Sequence, residues 1–240
     1  MADRPSPAAL FALVAAAMVA FAANSVLTRM ALAPELMEGG RFASIRIASG
    51  ALTLWLLLAL RGGWRAPRPP NSLAMTAGLA AYMIGFSYAY ERLDAGVGAL
   101  ILFGCVQLAM QGWGFWRGER LTPPGLCGLG LALIGMILIL APGAATAPDA
   151  LGAGLMIAAG IGWAVYSLLG RTAGAPLPAT AWNFLLCVPA VLFVDLALAD
   201  GGAMPAEGIA IAVASGALAS GLGYAIWYAA LPHLTATRAA

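Results

Sequence analysis

Residues able to do chemistry are sparse in this chain, and nearly all of them sit inside long apolar runs. The strongest is Arg46, in Ser44-Ile45-Arg46, an ionisable residue within an otherwise uncharged stretch. A guanidinium is costly to place there, so it reads first as a substrate contact or a gate. Its position near one end of the stretch also lets a long side chain snorkel to the headgroups. Gln107 and Gln111 lie four apart, which puts both amides on one face of a helix. Two amides stacked in an apolar segment predict a polar seam turned inward, serving either a cavity or a lock between helices. Asn24 with Ser25, and Tyr166 with Ser167, form two further polar pairs. Tyr82, Trp163, Tyr224, Trp227 and Tyr228 supply aromatic surface for a cavity, or interface anchors and packing.

Catalytic chemistry lacks its parts, and the chain reads as a non-enzyme. His233, after Pro232, is the single histidine and reads as a loop residue. Cys105, Cys127 and Cys187 are widely spaced, form no CxxC or Cys/His cluster, and read as ordinary buried packing. No metal or other cofactor is therefore expected. There is no GxxxxGK[ST] phosphate loop to use ATP. Asp195, near the end of an apolar run, reads as an ion-pair partner or a helix-end charge. No Asp or Glu lies at the middle of any run, which disfavours proton coupling through a buried carboxylate and leaves facilitated diffusion or exchange as the plainer scheme.

The elements that must position these groups follow from composition. Of 240 residues, 62% are hydrophobic and 9% are charged, against roughly 25% charged in a soluble domain. So few charges cannot cover a water-facing surface, so lipid is the expected surroundings. The net charge of +2 is too small to point to nucleic acid. A membrane-crossing helix needs about 20 apolar residues, and the runs between charges predict helices at 8–28, 42–60, 72–90, 95–116, 125–141, 150–169, 180–199 and 208–231, with a ninth begun at 234–240. Strands are not expected, because the runs are continuous rather than alternating. Turn signals separate the runs: Pro67, Pro69 and Pro70; Pro123 and Pro124; Pro142 and Gly143; Pro176 and Pro178; Gly201 and Gly202. Arg4, the apolar centre at 8–19 and Ala20-Phe21-Ala22 also fit a cleaved signal peptide. Continuation of the run to Leu27, and its counterpart later in the chain, favour a retained span.

Arginine placement predicts the orientation. With the N-terminus inside, cytoplasmic segments hold Arg4, Arg61, Arg65, Arg68, Arg117, Arg120, Arg171 and Arg238, while the outer loops hold Arg29, Arg41 and Arg92. That asymmetry satisfies the positive-inside rule. The reading is a multi-pass protein of the cell inner (plasma) membrane with a cytoplasmic N-terminus. Trp113 and Trp116, beside the turn of Arg117, Glu119 and Arg120, are assigned to the interfacial belt.

The chain also repeats itself. Phe21-Ala22-Ala23-Asn24-Ser25-Val26-Leu27-Thr28-Arg29 aligns with Trp163-Ala164-Val165-Tyr166-Ser167-Leu168-Leu169-Gly170-Arg171 at an offset of 163 − 21 = 142. Tyr88 to Ala95 echoes Ala229 to Ala236 at 141, one residue away from that offset. Asn24 and Ser25 thereby become pseudo-symmetric with Tyr166 and Ser167. An odd number of helices per unit inverts the second unit, an architecture recurrent in secondary transporters with a site near the midplane. The expected fold is an all-α polytopic membrane protein, an inverted repeat of five-helix units. Residues 1–142 form the first unit (helices 1 to 5), and 143–240 form the second (helices 6 to 8 and the start of a ninth). Residues 100–142 have no partner in the second unit, so it is expected to lack about 43 residues.

These patterns resemble the drug/metabolite transporter superfamily, and within it the EamA-type permeases. Ser44-Ile45-Arg46 is similar to the family's Arg at the start of its second helix, and Gly118-Glu119-Arg120-Leu121 to its acidic turn. Gly130 and Gly135 are similar to its fifth-helix glycines, and Tyr228 to Ala240, ending HLTATRAA, to its junction between helices 8 and 9. The likeness covers nearly the whole chain, except that family members continue through two more helices. It implies a permease or exporter of small metabolites or drug-like compounds working by alternating access. Asn24, Ser25, Arg46, Tyr82, Gln107, Gln111, Trp163, Tyr166, Ser167 and Tyr228 are the expected substrate contacts. The partners would be a small-molecule substrate and membrane lipid, with a homodimer as a way of completing the second unit. The alternative is a truncated, non-transporting membrane protein with a structural or regulatory role.

Overall fold

A computed structural model describes residues 5–63, 68–69, 72–120, 123–140 and 148–240. The expected unit boundary at 142 and 143, the turn at Pro142 and Gly143, and Arg4, Arg65, Pro67, Pro70 and Leu121 lie outside the described residues. The described chain is helical, with no strand. Seven helices are α1 (Pro7–Leu32), α2 (Gly39–Leu60), α3 (Ser72–Tyr90), α4 (Ala95–Trp116), α5 (Pro123–Leu140), α6 (Ala150–Gly170) and α7 (Pro176–Leu198). An eighth rod follows, made of α8 (Ala206–Ala214), a π segment (Ser215–Leu222), α9 (Gly223–Ala230) and a 3₁₀ turn (Leu231–His233). A single helical turn, α10 (Ala236–Ala239), ends the chain.

Among the described residues seven rods are long and apolar enough to cross a membrane: α1 to α4, α6, α7 and the composite rod Ala206–His233. In α5 the described apolar run, Gly125–Gly135, is shorter than a span. This is the make-up of a multi-pass membrane protein. Helix ends differ from expectation where capping intervenes. α1 starts at Pro7 because Ser6 caps it, its hydroxyl accepting from the Ala9 N–H at 3.2 Å. Proline is well placed at a first helical position, and Pro176 opens α7 four residues before the expected start.

The rods meet through glycine. α3 and α6 run antiparallel and nearly touch: a Cβ on Gly78 would stand 2.8 Å from the Gly162 carbonyl, and one on Gly85 2.7 Å from that of Leu155. α2 packs on α7 and on the π segment, α9 on α1, and α4 on α6. Without a hydrophobic drive between helices in lipid, such close approach gives the dispersion contact that holds a bundle. Gly128, Gly130 and Gly135 of α5 make no such approach, since nothing stands within 4 Å of a Cβ built there. Cys127 on the same helix is exposed, while Cys187 is buried and Cys105 half-buried. The reason is shared: α5 packs on α4, and its remaining surface faces outward.

The two ends of the bundle differ. One carries Arg61, Arg117, Arg171 and Arg238. The other carries Glu38, Glu91, Asp94, Asp149 and Asp200, and most ion pairs among the described residues: Arg29–Asp94 at 3.2 Å, Arg41–Asp195 at 3.5 Å and Arg92–Asp149 at 4.0 Å.

Candidate functional site

The bundle's polar groups gather between α1, α2, α3 and the π segment. Arg46 is fully buried. It lies seven residues into α2, about 10 Å from that helix's start at 1.5 Å per residue, within a hydrocarbon half-thickness of about 15 Å. The side chain turns inward rather than snorkelling. Its Nε donates to Ser220 Oγ at 3.0 Å and its Nη2 to the Tyr82 hydroxyl at 2.7 Å. The guanidinium carbon sits 4.7 Å from the Phe86 ring centre and 5.2 Å from that of Tyr82, within cation–π range. Asn24 Nδ2 also donates to the Tyr82 hydroxyl at 3.2 Å, and Asn24 Oδ1 accepts from Ser215 Oγ at 2.6 Å. Three of the expected contacts, Asn24, Arg46 and Tyr82, thus form one network with two serines that the sequence reading missed.

The π segment brings those serines in. At about 100° per residue, positions five apart on an α-helix point in well-separated directions. In π geometry the hydrogen bonds run from i to i+5, and residues five apart stack. Ser215 and Ser220 are such a pair.

A second group lies nearer the arginine-rich end. The Tyr166 hydroxyl and Thr180 Oγ1 share a hydrogen bond of 2.8 Å, and the Tyr228 hydroxyl donates to the Tyr166 carbonyl at 3.2 Å. Thr76 Oγ1 donates to Asn183 Oδ1 at 3.5 Å. Tyr224 joins the two groups, its ring centre 6.5 Å from Tyr82 and 5.7 Å from Tyr166. With Phe86–Tyr90 at 4.7 Å, Tyr82–Phe86 at 5.2 Å and Tyr166–Tyr228 at 5.1 Å, an aromatic column runs down the bundle.

The remaining expected contacts spread out. Trp163 is buried against Phe21, ring centres 5.7 Å apart, and Trp227, 5.5 Å apart. Ser167 Oγ accepts from Trp227 Nε1 at 3.4 Å. Ser25 is buried next to Asn24. Gln111 is buried but Gln107 is only half so, and neither joins the hydrogen bonds of either group. The inward seam predicted for that pair reduces to Gln111, because the buried face of α4 runs through Val106 and Met110.

Space around the cluster is distributed unevenly. At the centre, among Phe21, Tyr82, Phe86 and Trp163, the void is about 10 Å³, room for roughly one water. Larger clefts open toward the ends. One of about 450 Å³ lies by Trp113, Arg117, Glu119 and Arg171, and one of about 370 Å³ by Glu35, Glu38, Glu91 and Gly202. Each cleft borders a carboxylate clasp. Glu119 accepts from the Ala236 and Thr237 N–H groups at 3.0 and 2.9 Å, with Arg171 at 3.8 Å. Partial burial pushes this carboxyl up, but those donors and the Arg171 charge outweigh it and hold it below the ordinary 4.5. Glu91 accepts from the Gly39 N–H at 2.5 Å, at the start of α2. Burial pushes it above the ordinary value, against the opposing pull of that N–H and of Arg92. Among the described residues no three of His, Cys, Asp and Glu gather closely enough to hold a metal ion.

No family model matches the chain. A solved structure named "Crystal structure of protein" superposes with a TM-score of 0.70 at 20% identity, over 91% of this chain and 79% of that one, a likeness of fold. Uncharacterized protein PA1977 of Pseudomonas aeruginosa is 46% identical over 232 residues, which are 93% of this chain and 77% of that protein. Identity at that level over nearly the whole helical bundle means that the chain belongs to the family of PA1977.

Proposed function

We propose that this protein is a small-solute transporter, an EamA-type permease of the drug/metabolite transporter superfamily, working by alternating access around the Arg46 cluster. One observation carries the reading: a cationic side chain is fully buried at membrane depth, donor-rich, and flanked by clefts toward both ends of the bundle. A purely structural bundle gains little from such a charge, because hydrophobic packing replaces a buried ion at no loss of stability. Helix pairing supports a two-unit design. α3 packs antiparallel on α6 as the composite rod packs on α1, and α2 meets α7 across the middle. Inverted five-helix units, residues 1–142 and 143–240, produce that exchange of partners, with the site at their interface. In this scheme the nearly void-free centre is the occluded state. The end clasps at Glu119 and Glu91 are the contacts that part in turn. The protein sits in the cytoplasmic membrane with its arginine-rich end inside.

A second reading, a non-transporting membrane protein locked by the same hydrogen bonds, is favoured by the small central void. Flux separates the two. The full chain is reconstituted into sealed vesicles and assayed with labelled aromatic anions, cations and neutral analogues. Saturable flux above protein-free vesicles, lowered in Tyr82→Phe and Asn24→Ala, is the expected result. Vesicles no leakier than lipid alone to every probe sink the transporter reading.

A further inference from the structure

We infer that the Arg46 cluster binds a small organic monoanion, a carboxylate or similar single negative charge carried on an aromatic body. This rests on the reading of the cluster as the transport site and names its substrate class. Ion pairs among the described residues join Arg29 to Asp94, Arg41 to Asp195, Arg92 to Asp149 and Arg171 to Glu119. None involves Arg46, so its charge is buried with no counter-charge among the described residues. Its Nη1 is also shielded from solvent and has no hydrogen-bond partner. A buried ion left in this state is strongly unfavourable unless something pairs it.

The surrounding groups add donors rather than acceptors. The Tyr82 hydroxyl accepts from both Arg46 and Asn24, and Ser220 accepts from Arg46, so each keeps a proton to give. Asn24 Oδ1, the amide acceptor, is occupied by Ser215. One positive charge with surplus N–H and O–H groups complements one carboxylate. A dianion would bring a second charge that nothing in the cluster neutralises. The guanidinium lies on Phe86 and Tyr82, and the small void on their far side is lined by Phe21, Phe86 and Trp163, apolar faces that would take an aromatic ring once the helices part from the occluded state. The same rings would suit an organic cation in an aromatic cage, but Arg46, already seated on Phe86 and Tyr82, repels one.

The test titrates the full chain in detergent with phenylacetate, phenethylammonium and phenethyl alcohol, reading calorimetric heat and the emission of the tryptophans, of which Trp163 lines this region. Phenylacetate is expected to saturate, with the other two weaker by about tenfold or more. Arg46→Gln removes that preference, and Arg46→Lys retains part of it. Equal or tighter binding of the ammonium or the alcohol, no binding of phenylacetate, or an unchanged preference in Arg46→Gln overturns the inference. Should Arg46→Gln fail to fold, the charge series on the unaltered chain and Ser220→Ala, expected to weaken phenylacetate alone, still decide. Vesicle flux of benzenesulfonate, whose permanent charge prevents leakage through lipid, separates this inference from the reading beneath it. Anion binding without flux keeps the site and refutes transport. Flux of phenyltrimethylammonium that ignores Arg46→Gln keeps transport and refutes the anion site.

Discussion

Glu119 and Glu91 do similar work at opposite ends of the bundle, each carboxylate accepting from the start of another helix, yet their environments push them in opposite directions. Glu119, held below 4.5, contributes stability above its unfolded value and loses it as pH falls through the folded one. Glu91, raised above 4.5, binds a proton more readily when folded, so its contribution falls as pH rises through the window above 4.5. Glu119→Gln is therefore expected to lower the thermal midpoint at pH 7 and to matter less near pH 4. Glu91→Gln, which keeps an acceptor for the Gly39 N–H without a buried charge, is expected to be neutral or stabilising at pH 7. Differential scanning in detergent at the two pH values checks both, and equal losses for the pair would contradict this account. Sequence spacing marked Glu119 as part of a turn, but its partners, 117 and 118 positions away, were not legible there. Arg46 shows the same limit. Its type and apolar surroundings announced a buried charge, whereas the choice between snorkelling and pointing inward depended on Tyr82 and Ser220.

At the scale of elements, the π segment is the feature that decides the site. It forms where Ser215-Gly216-Ala217-Leu218-Ala219-Ser220-Gly221 presents small residues to α2, and a Cβ on Gly216 would overlap Ser49 Oγ and the Arg46 carbonyl. Gly216→Ala must therefore push α2 and the π segment apart. The expected cost is about 1–3 kcal/mol of stability, together with weakened phenylacetate binding. Gly130→Ala is the control: nothing lies within 4 Å of its Cβ, so it should be neutral or gain up to about 1 kcal/mol from helix propensity. A Gly216→Ala protein as stable as the parent would remove the argument for close approach. Gly118 serves a different end. With φ at 82° it occupies the left-handed region, which turns the chain after α4 and delivers Glu119 to α10.

For the whole molecule, the separation of charge between the ends sets the sidedness. Arginines gather at one end, and unlike-charge pairs with surplus acid gather at the other. If the positive-inside rule governs insertion, a cysteine replacing Asp200 is labelled by an impermeant maleimide in intact cells, and one replacing Thr172 only after lysis. The reverse pattern would invert the topology while leaving the bundle unchanged. Gly202 accommodates the acidic end's packing, its N–H donating to Glu38 Oε1 at 2.8 Å, so Asp200 lies at a defined edge rather than within the core.

Class and layout were fixed by local properties. Uninterrupted apolar runs can only be helices in lipid, so sequence alone determined the helical class, the positions of the long rods to within a few residues, and the two unlike ends. It also singled out Asn24, Arg46 and Tyr82, because polar groups are conspicuous against an apolar background. Convergence of those three depended on contacts between residues 36 and 58 positions apart. Addition of Ser215 and Ser220 required a local change from α to π winding, set by how closely glycine lets α2 approach. Gln107 turned aside for the same kind of reason: periodicity gives the faces of a helix, but packing chooses which face looks inward. The charge of Arg46 was written in the sequence; its lack of a counter-ion among the described residues appeared only once the helices were placed around it.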